Sequence, residues 1–340
     1  MRGIQVSKYV KEPSELRVTN NIPEPVPKPD EYVVEVRSFA ANFFDILQVQ
    51  GKYQFQPPFP WTAGVEFSGV VVRVPTAPAD GRAPQFNVGD RVFGGNQGAC
   101  AERVALSEDK LFPVPQGWSF ADAAGLWVTA PTSYGGLVLR GELKKGDFVL
   151  VHAAAGGVGL AAVQVAKAFG ATVIATAGTP RKLEVAKSFG ADHVLDYRQA
   201  DWPEQVKKLT PNGRGVDIVY DSVGLIEKST KCIAWKGRIL VIGFAGGIIE
   251  KIPANRLLLK NCSVVGVFWG GMIAREPQVG VDTWKGIFEL INSGKYRGTL
   301  FTDKEYRGFE SVAEALTDLG RRDTWGKVVV NVGEEGRSRI

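Results

Sequence analysis

The sequence predicts an α/β protein of two domains, a small barrel-like β domain and a doubly wound parallel sheet. Three observations lead to this prediction. Residues 1–125 contain short β-branched runs separated by Gly and Pro turns, strand and helix patterns alternate beyond residue 120, and the strands of that second part are apolar throughout. We therefore expect one domain over residues 1–125 with 295–340 and another over 126–294.

The first domain is predicted to consist of short strands, because β-branched residues favour extended backbone and Gly, Asp and Pro mark the turns. The predicted strands lie at 31–42, at 67–74, within 86–95 and, as a pair, within 100–115. Residues 75–85 are expected to form an exposed loop. The last apolar run, residues 326–332, is predicted to be a strand that returns to this domain.

The second domain is predicted from a series of apolar runs with helical patterns between them. Strands are expected at residues 147–154, 172–178, 193–197, 216–224, 237–244 and 262–271, and helices at 157–170, 180–191 and about 280–293. A strand, a helix and a second parallel strand form a right-handed crossover. The series therefore predicts a parallel sheet with helices on both faces.

Composition and charge exclude several classes of protein. The net charge of +5 is spread along the chain, which argues against a dedicated nucleic-acid binder, and the basic stretch 206–215 is interpreted as a solvated helix end and loop. Three cysteines and two histidines lie far apart, without the spacing of zinc ligands. We expect no metal site, and we expect the cysteines to be reduced and buried.

No part of the sequence predicts a membrane association. It lacks an apolar run of the roughly 18 residues that a span needs, and its N-terminal residues lack the apolar core of a signal peptide. A cytoplasmic enzyme is expected. The final tripeptide, Ser338-Arg339-Ile340, distantly resembles the peroxisomal signal S-K-L, but a frayed polar tail is the preferred interpretation.

Residues 152–159, HAAAGGVG, lie between a predicted strand and a predicted helix and predict a phosphate-binding turn. Gly156 and Gly159 take the second and third glycine places of the pattern G-x-G-x-x-G. Ala154 takes the first place, which it tolerates if its φ is negative. Backbone N–H groups and the helix dipole at such a helix start favour a pyrophosphate. A working dinucleotide site is therefore preferred over a merely structural turn.

The end of the second strand of this domain selects the nucleotide. An NAD enzyme carries Asp or Glu there to hold the ribose 2′-hydroxyl. No residue between Ala171 and Leu183 is acidic, whereas Thr179, Arg181 and Lys182 offer a hydroxyl and two cations to a 2′-phosphate. The dipole opposes cations at a helix start, so a ligand explains them better than solvation does. The predicted cofactor is NADP(H).

Short stretches from the first strand to the last are typical of one known family. They are AANFFD (40–45), GVEFSGVV (64–71), VGDRVFG (88–94), HAAAGGVGLAAVQVAK (152–167), GTPRK (178–182), LDYR (195–198), VYDSVG (219–224) and GKVVV (326–330). On these stretches the chain resembles the medium-chain dehydrogenase/reductase superfamily, in its zinc-free quinone oxidoreductase (zeta-crystallin-like) branch.

The resemblance implies a GroES-like β-barrel substrate domain joined to a Rossmann domain that binds NADP(H), with the active site in the cleft between them. The implied cofactor-binding positions are Ala155, Gly156, Gly157, Val158, Gly159, Gly178, Thr179, Lys182, Tyr197, Gly243, Phe268, Gly270 and Arg322. Phe268 and Gly270 belong to a loop, 268–277, that is expected to cover the nicotinamide. The candidate catalytic residues are Asn42, Tyr53 and Thr132.

The sequence departs from the zinc alcohol dehydrogenases of that superfamily. The stretch 40–45 has no cysteine, residues 64–66 read Gly-Val-Glu instead of Gly-His-Glu, and only Cys100 remains where a structural zinc lobe would stand. Without the Lewis acid, alcohol oxidation is disfavoured. Quinones and α,β-unsaturated carbonyls remain as acceptors, because hydrogen bonds can stabilise the charge that develops on their oxygens. Asp45 and Glu66 are interpreted as structural hydrogen-bonding or ion-pairing groups.

The stretch GKYQFQPPFPW, residues 51–61, supplies aromatic side chains near the candidate Tyr53. For Tyr53 a place in the cleft and a place in the core are equally supported, because a tyrosine hydroxyl suits both. Phe59 and Trp61 are interpreted as core residues.

The predicted function is an NADPH-dependent quinone oxidoreductase. One alternative is a 2-alkenal or enoyl-thioester reductase, and an alternative of another class is a non-catalytic NADPH-binding protein, crystallin-like or RNA-binding. The strand at the start of 262–271 is expected to lie at the edge of the sheet. Because exposed apolar edges tend to pair across a two-fold axis, a homodimer through this edge is expected.

Overall fold

The computed structural model describes residues 1–77 and 81–333. The chain divides into two compact units, one of Met1–Val128 with Gly298–Ile340 and one of Thr129–Arg297. The tripeptide Ser338-Arg339-Ile340 and part of the predicted loop 75–85 lie outside the described residues.

The elements of the described residues are numbered in chain order. The strands are β1 (Gly3–Val6), β2 (Val18–Thr19), β3 (Glu31–Ala40), β4 (Trp61–Thr62), β5 (Glu66–Arg73), β6 (Arg91–Gly95), β7 (Arg103–Ser107), β8 (Leu111–Pro113), β9 (Phe148–Val151), β10 (Thr172–Ala177), β11 (His193–Asp196), β12 (Val216–Asp221), β13 (Ile233–Val241), β14 (Ser263–Gly266), β15 (Tyr306–Arg307) and β16 (Val329–Asn331). The helices are α1 (Phe43–Val49), α2 (Phe120–Ala124), α3 (Leu126–Tyr134), α4 (Gly157–Ala168), α5 (Pro180–Ser188), α6 (Trp202–Lys208), α7 (Ile226–Ser229), α8 (Ala254–Lys260), α9 (Trp269–Arg275), α10 (Pro277–Asn292) and α11 (Val312–Arg321). A π-helical turn, Gly135–Arg140, continues α3.

The first unit is built around a mostly antiparallel sheet with the order β15-β16-β3-β5-β6-β8, in which β7 also pairs with β3. The returning strand predicted at 326–332 is confirmed, because β16 pairs with β3 and Val329 lies opposite Ala40. On the other side of β3, Glu66 of β5 also lies opposite Ala40. This register brings the start of β5 and the approach to β16 together beside the end of β3.

The second unit contains a parallel sheet with the order β11-β10-β9-β12-β13-β14. Strands β10 and β11 extend the sheet in one direction from β9, and β12, β13 and β14 extend it in the other. In such doubly wound sheets ligands bind outside the carboxyl ends of the strands, where the order reverses. The predicted fold is confirmed, and the turn after β9 lies where such a fold is expected to bind a ligand.

Two predicted segments of the second unit are corrected. Strand β13 begins at Ile233, earlier than the predicted 237–244. It contains a bulge at Lys236, which has the left-handed conformation (φ 63°), and this bulge interrupts the register of β13 with β12. The predicted loop 268–277 is largely the helix α9. The loop was implied by the family resemblance and not by the residues themselves; in the helix, a Cβ on Gly271 would approach the ring of Phe268, the N-cap residue, to 2.3 Å.

Cys100, Cys232 and Cys262 are buried and free, as predicted. Burial raises the pKa of each thiol. Within residues 1–77 and 81–333, none of the helices combines the length and the apolar character needed to cross a bilayer.

Candidate active site

The turn after β9 has the backbone of a phosphate-binding loop. Ala153 takes the left-handed conformation (φ 45°), whereas the φ of Ala154 is not positive, which meets the condition set for an alanine in the first glycine place. The Ala154 N–H donates to the Thr176 carbonyl at 2.9 Å, and the Gly156 N–H donates to the Ala153 carbonyl at 2.9 Å. Gly156 is then the N-cap of α4.

Different physical causes explain why Gly156 and Gly159, the two glycines of the fingerprint, are glycine. A Cβ on Gly159 would approach the Ala153 carbonyl oxygen to 2.4 Å, so this position packs the helix against the turn. A Cβ on Gly156 would have only that oxygen nearby, at 3.4 Å, which is ordinary contact. The protein itself therefore leaves space at Gly156, and a ligand that approaches the backbone closely explains the glycine. A pyrophosphate fits this space and the positive end of the helix dipole.

Of the neighbouring predicted positions, Ala155 is buried, and Gly157 and Val158 are half-buried in the first turn of α4. The Val158 carbonyl accepts a hydrogen bond from the Ser133 hydroxyl at 2.8 Å, and Ser133 Oγ lies 3.0 Å from the Tyr220 hydroxyl. Thr132, a half-buried candidate catalytic residue, precedes Ser133 in α3. The helix of Thr132 is thus attached to the start of α4.

The end of β10 brings four of the predicted adenosine-side residues together. The Tyr197 hydroxyl lies 3.0 Å from where a Cβ on Gly178 would stand, so any larger residue at 178 would displace the tyrosine. The Thr179 hydroxyl accepts the Lys182 backbone N–H at 3.4 Å and caps α5, which leaves its own proton for another acceptor. Lys182 is half-buried in the first turn of α5.

The other predicted cofactor residues are less tightly defined. Gly243 lies just after β13, and a Cβ there would come no closer than 3.7 Å to another residue. Phe268 is 69% exposed, and Gly270 lies in α9. Arg322 belongs to the first unit, where it ends α11 in the left-handed conformation with φ 63°.

The first unit contains a buried polar cluster at the ends of β3 and β5. The Lys327 ammonium donates to Glu66 Oε1, to Asn42 Oδ1 at 2.8 Å and to the Ala41 carbonyl at 2.9 Å. Glu66 Oε1 also accepts Asn42 Nδ2 at 2.8 Å, and Glu66 Oε2 accepts the Val128 N–H at 3.0 Å. Every ammonium proton therefore has an acceptor, and the Glu66 charge is both paired and hydrogen-bonded.

This cluster changes the role of one candidate, Asn42, and bears on the structural interpretation of Glu66 and Asp45. The Asn42 amide nitrogen already donates to Glu66 and, at 3.4 Å, to the Ala40 carbonyl, so it holds the cluster rather than presenting a free donor. The structural interpretation of Glu66 is confirmed. Asp45 accepts the Asn42 N–H at 2.7 Å with one oxygen, as interpreted, but its other oxygen, Oδ1, is buried and has no partner in the described part of the chain.

The pKa values of Asp45 and Tyr53 are both raised. Burial raises the pKa of Asp45 to about 7, with the nearby Glu66 adding to the shift and Lys327 opposing it. Burial, and then the charge of Asp45, raises the pKa of Tyr53. Tyr53 is partly exposed and stacks on Phe44 with 5.3 Å between ring centroids. Within residues 1–77 and 81–333 its hydroxyl has no hydrogen-bond partner.

The aromatic residues around Tyr53 are not all buried. Trp61 is buried, as expected, but Phe59 is 44% exposed, and the expectation that it is a core residue was wrong. The Phe59 ring packs edge-on against Tyr9, with 4.8 Å between centroids, and this contact covers only part of it.

The residues that sequence reasoning missed are those that support the candidates. Lys327 stood inside the stretch GKVVV, but nothing in the sequence links it to Asn42 or Glu66. Ser133 and His152 make their contacts through distant parts of the chain. Among the described residues, no group of three or more His, Cys, Asp or Glu side chains is placed to hold a metal ion.

Comparison with known proteins agrees with this fold. Family models match the chain as an alcohol dehydrogenase GroES-like domain over residues 28–116 and as a zinc-binding dehydrogenase over residues 157–292. A Nematostella vectensis protein named quinone oxidoreductase-like protein 2 homolog is 39% identical over 303 residues, which cover 88% of this chain and 80% of that protein.

Solved structures give the same result. The Escherichia coli quinone oxidoreductase complexed with NADPH superposes with a TM-score of 0.85 at 30% identity, covering 97% of this chain and 100% of that chain. The CurK enoyl reductase superposes with a TM-score of 0.85 at 27% identity, covering 97% and 99%.

A GroES-like sheet and a Rossmann sheet with a glycine turn after its first strand define a dehydrogenase of the medium-chain type. Within that superfamily, the chain belongs to the quinone oxidoreductase family, as its sequence predicted.

Proposed function

We propose that this protein is an NADPH-dependent quinone oxidoreductase, which reduces quinones or related conjugated carbonyls without zinc. The observation that carries the proposal is the arrangement of side chains at the end of β10. There Lys182 and the Thr179 hydroxyl take the place of the acidic residue of NAD enzymes, and Tyr197 lies against Gly178. This arrangement suits a 2′-phosphate and would suit a bare ribose poorly. Relatives that carry the name quinone oxidoreductase support the acceptor class.

In this proposal the cofactor lies across the carboxyl ends of the parallel strands. The backbone from Gly156 to Gly159 binds the pyrophosphate, and Gly178, Thr179, Lys182 and Tyr197 bind the adenosine 2′-phosphate. The remaining proposed contacts are Ala155, Gly243, Phe268, Gly270 and Arg322. NADPH, when bound, supplies the hydride.

The chain's own contribution at the acceptor is proposed to be hydrogen bonding. Tyr53 is a phenol at physiological pH, as an ordinary tyrosine is, and burial raises its pKa further; its hydroxyl can donate to an oxygen on which negative charge develops. Its hydroxyl is not engaged by another described residue, which favours it over Asn42 as the donor. Thr132 is proposed as a second polar group at the acceptor, while Asn42 holds the start of α1.

The test is NADPH oxidation by the purified protein with an ortho-quinone, a para-quinone, a 2-alkenal and a saturated ketone, with NADH in parallel. We expect quinone turnover with NADPH, little turnover with NADH and none with the saturated ketone. NADPH binding without turnover of any acceptor would reject the enzymatic proposal and favour a non-catalytic role.

An enoyl reductase is the second candidate, because the CurK enoyl reductase superposes as closely as the quinone oxidoreductase does. The same panel separates the two. Turnover of the 2-alkenal alone would assign the protein to the enone reductases.

We also propose a homodimer that forms through the edge of the parallel sheet. Strand β14 is the last strand of that sheet, as expected, and the helix before it exposes Leu258 (79%) and Leu259 (73%). A second copy that pairs along β14 would cover these side chains. Light scattering should give twice the 36.8 kDa chain mass, and replacing both leucines by glutamate should give monomers. A wild-type monomer at micromolar concentration would exclude the dimer.

The proposed compartment is the cytoplasm and the proposed partners are small molecules, with neither a membrane nor a nucleic acid involved. Buried, free cysteines support a reducing compartment. The basic side chains of the stretch 206–215, which are Lys207, Lys208 and Arg214, are exposed at the end of α6 and after a short turn, which supports a solvated charged surface.

A further inference from the structure

His152 lies at the end of β9, directly before the left-handed Ala153, and is fully buried. Its backbone N–H donates to the Tyr220 carbonyl of β12 at 3.0 Å. Its ring nitrogen Nδ1 lies 2.8 Å from Thr176 Oγ1 of β10, and Nε2 lies 2.9 Å from Ser229 Oγ of α7. One side chain thus joins the start of the phosphate-binding turn to two neighbouring elements.

The partners of the ring determine its tautomer. The Ser229 hydroxyl donates its single proton to the Leu225 carbonyl at 2.7 Å, so towards His152 it can only accept. This pairing assigns a proton to Nε2. Burial lowers the pKa of His152, against the opposing charge of Asp221, and keeps the ring neutral. Nδ1 then has a lone pair and accepts the Thr176 hydroxyl proton.

Thr176 is held at two points by the same turn. Its hydroxyl donates to the His152 ring, and its carbonyl accepts the Ala154 N–H at 2.9 Å. Two residues further along, Gly178 contacts Tyr197 in the region proposed for the 2′-phosphate. The ring therefore fixes how far the phosphate-binding turn lies from the end of β10.

We propose that His152 is a positioning residue for the dinucleotide: as a neutral Nε2–H tautomer it fixes the spacing between the turn at 153–156 and the end of β10, so that the pyrophosphate and the 2′-phosphate are bound at once. The proposal rests on the proposed function only in taking NADPH as the ligand. Since the ring is buried and both nitrogens have partners, it does not exchange protons with a substrate.

The tautomer is tested first, in the wild-type protein. The chain has two histidines, so ¹⁵N-labelled histidine gives two sets of ring signals, and the variant His193→Gln assigns them. We expect His152 to show a proton on Nε2 only, throughout the range of about pH 6 to 8 in which an ordinary imidazole titrates. A proton on Nδ1, or an imidazolium in that range, would overturn the proposal.

The positioning role is tested with Thr176→Val, which removes the hydroxyl and keeps the shape, and with His152→Phe, which keeps an aromatic ring against Trp202. In each variant the Kd for NADPH should rise by roughly ten-fold or more, because the turn and the end of β10 are no longer held at the spacing that binds both phosphates. Adenosine 2′-monophosphate reaches the end of β10 and not the turn at 153–156, so its Kd should stay unchanged. The kcat at saturating NADPH should also stay unchanged. His152→Gln, which keeps an N–H donor for Ser229, should lose less than His152→Phe.

Thr172→Val, at the other end of β10, is the matched control and should leave both affinities unchanged. Unchanged NADPH affinity in Thr176→Val, or equal losses for both ligands, would show that the ring has no positioning role. If His152→Phe fails to fold, the NADPH affinity of Thr176→Val and the tautomer of His152 in the wild-type protein still decide whether the ring has a positioning role. Failure of the wild-type protein to bind NADPH would reject the proposed function itself, before any variant is compared.

Discussion

Lys327 and Glu66, 261 positions apart in the sequence, form a buried ion pair in the first unit. The register of β3 with β5 and β16 brings them together beside Ala40. Asn42 bridges the two charges, since its amide donates to Glu66 and accepts from Lys327. The pair therefore holds the loop between β3 and α1, which leads to Asp45 and Tyr53.

Replacing Lys327 by methionine should strongly destabilise the protein. Glu66 would keep its charge in a buried place without a counter-ion, which typically costs about 3–5 kcal/mol in the free energy of unfolding. Chemical denaturation measures the loss. Adding Glu66→Gln to Lys327→Met should restore part of it, because the second change removes the stranded charge. A double variant less stable than the single one would contradict this explanation.

Alanine at Gly159 should affect stability, whereas alanine at Gly156 should affect NADPH binding. Gly159→Ala places a methyl group 2.4 Å from the Ala153 carbonyl oxygen and should lower the melting temperature. Gly156→Ala meets only ordinary contact and should leave the melting temperature nearly unchanged, yet weaken NADPH binding. Calorimetry of both variants, alone and with NADPH, tests this. Full NADPH affinity in Gly156→Ala would mean that the pyrophosphate does not approach this residue.

Lys182→Ala should raise the Kd for NADPH by roughly ten-fold or more and change the Kd for NADH little, because only NADPH carries the 2′-phosphate that the ammonium would bind. Fluorescence titration measures both constants. Lys187→Ala, an exposed lysine at the other end of α5, is the control and should alter neither. Equal losses for NADPH and NADH in Lys182→Ala would place the 2′-phosphate elsewhere.

Tyr53→Phe should lower kcat for the quinone while stability and NADPH affinity are retained. The hydroxyl has no partner among the described residues, so its removal leaves no stranded group, whereas loss of one donor to a developing oxyanion typically costs about 10²–10³ in rate. Steady-state kinetics and thermal denaturation provide the two readouts. Tyr9→Phe, at the exposed aromatic pair with Phe59, is the matched control. Unchanged turnover in Tyr53→Phe would remove this residue from the acceptor site.

Asp45 should make the protein less stable as the pH rises. The folded protein holds this proton up to a pKa of about 7, whereas the unfolded chain releases it near the ordinary value of 3.8. Between those values the folded state binds more protons, so the free energy of unfolding falls with pH, by at most about 1.4 kcal/mol per unit from this group. Lys327, Glu66, Tyr53 and Cys100 are the titratable groups that act on Asp45 or respond to its charge.

Asp45→Asn removes this titration. The variant should be more stable than wild type above pH 7, and the difference should shrink towards pH 5. Denaturation at both pH values measures it. A difference that grows at low pH would show that the carboxylate is stabilised in the folded protein and that its shift has the opposite sign.

The sequence predicts the second unit well, because apolar strands, helix periods and a glycine turn are local signals. It misplaces strand ends by one to five residues: the runs predicted to end at 154, 224 and 271 leave the sheet at Val151, Asp221 and Gly266. Apolar composition continues past the last ladder hydrogen bond, so pattern alone does not mark the end. Helix α9 was missed because the family resemblance implied a loop over 268–277; of its two adjacent glycines, Gly271 lies close to the Phe268 ring within a helical turn.

Spacing alone predicts members of the candidate site only where they are close in sequence, whereas Tyr197, which lies near Gly178, was named through the family resemblance. Gly156 and Gly159, or Thr179 and Lys182, stand within one turn and its helix, so spacing reveals them. Lys327 is found only when sheet register is known, and the ring of His152 only when the partners at Thr176 and Ser229 are known. The exposure of Phe59 was also beyond reach, because it depends on how much of the ring Tyr9 covers.

The contact of Tyr197 with Gly178 limits how this protein's preference for its nucleotide can be altered. The usual route to NADH is to install an acidic side chain at the end of the second strand of the sheet. At position 178 that side chain would meet the tyrosine hydroxyl, 3.0 Å from its first carbon. An acidic residue at this position therefore needs Tyr197 to move by a few tenths of an ångström, and the variant that combines it with a smaller residue at 197 should bind NADH better than the acidic substitution alone.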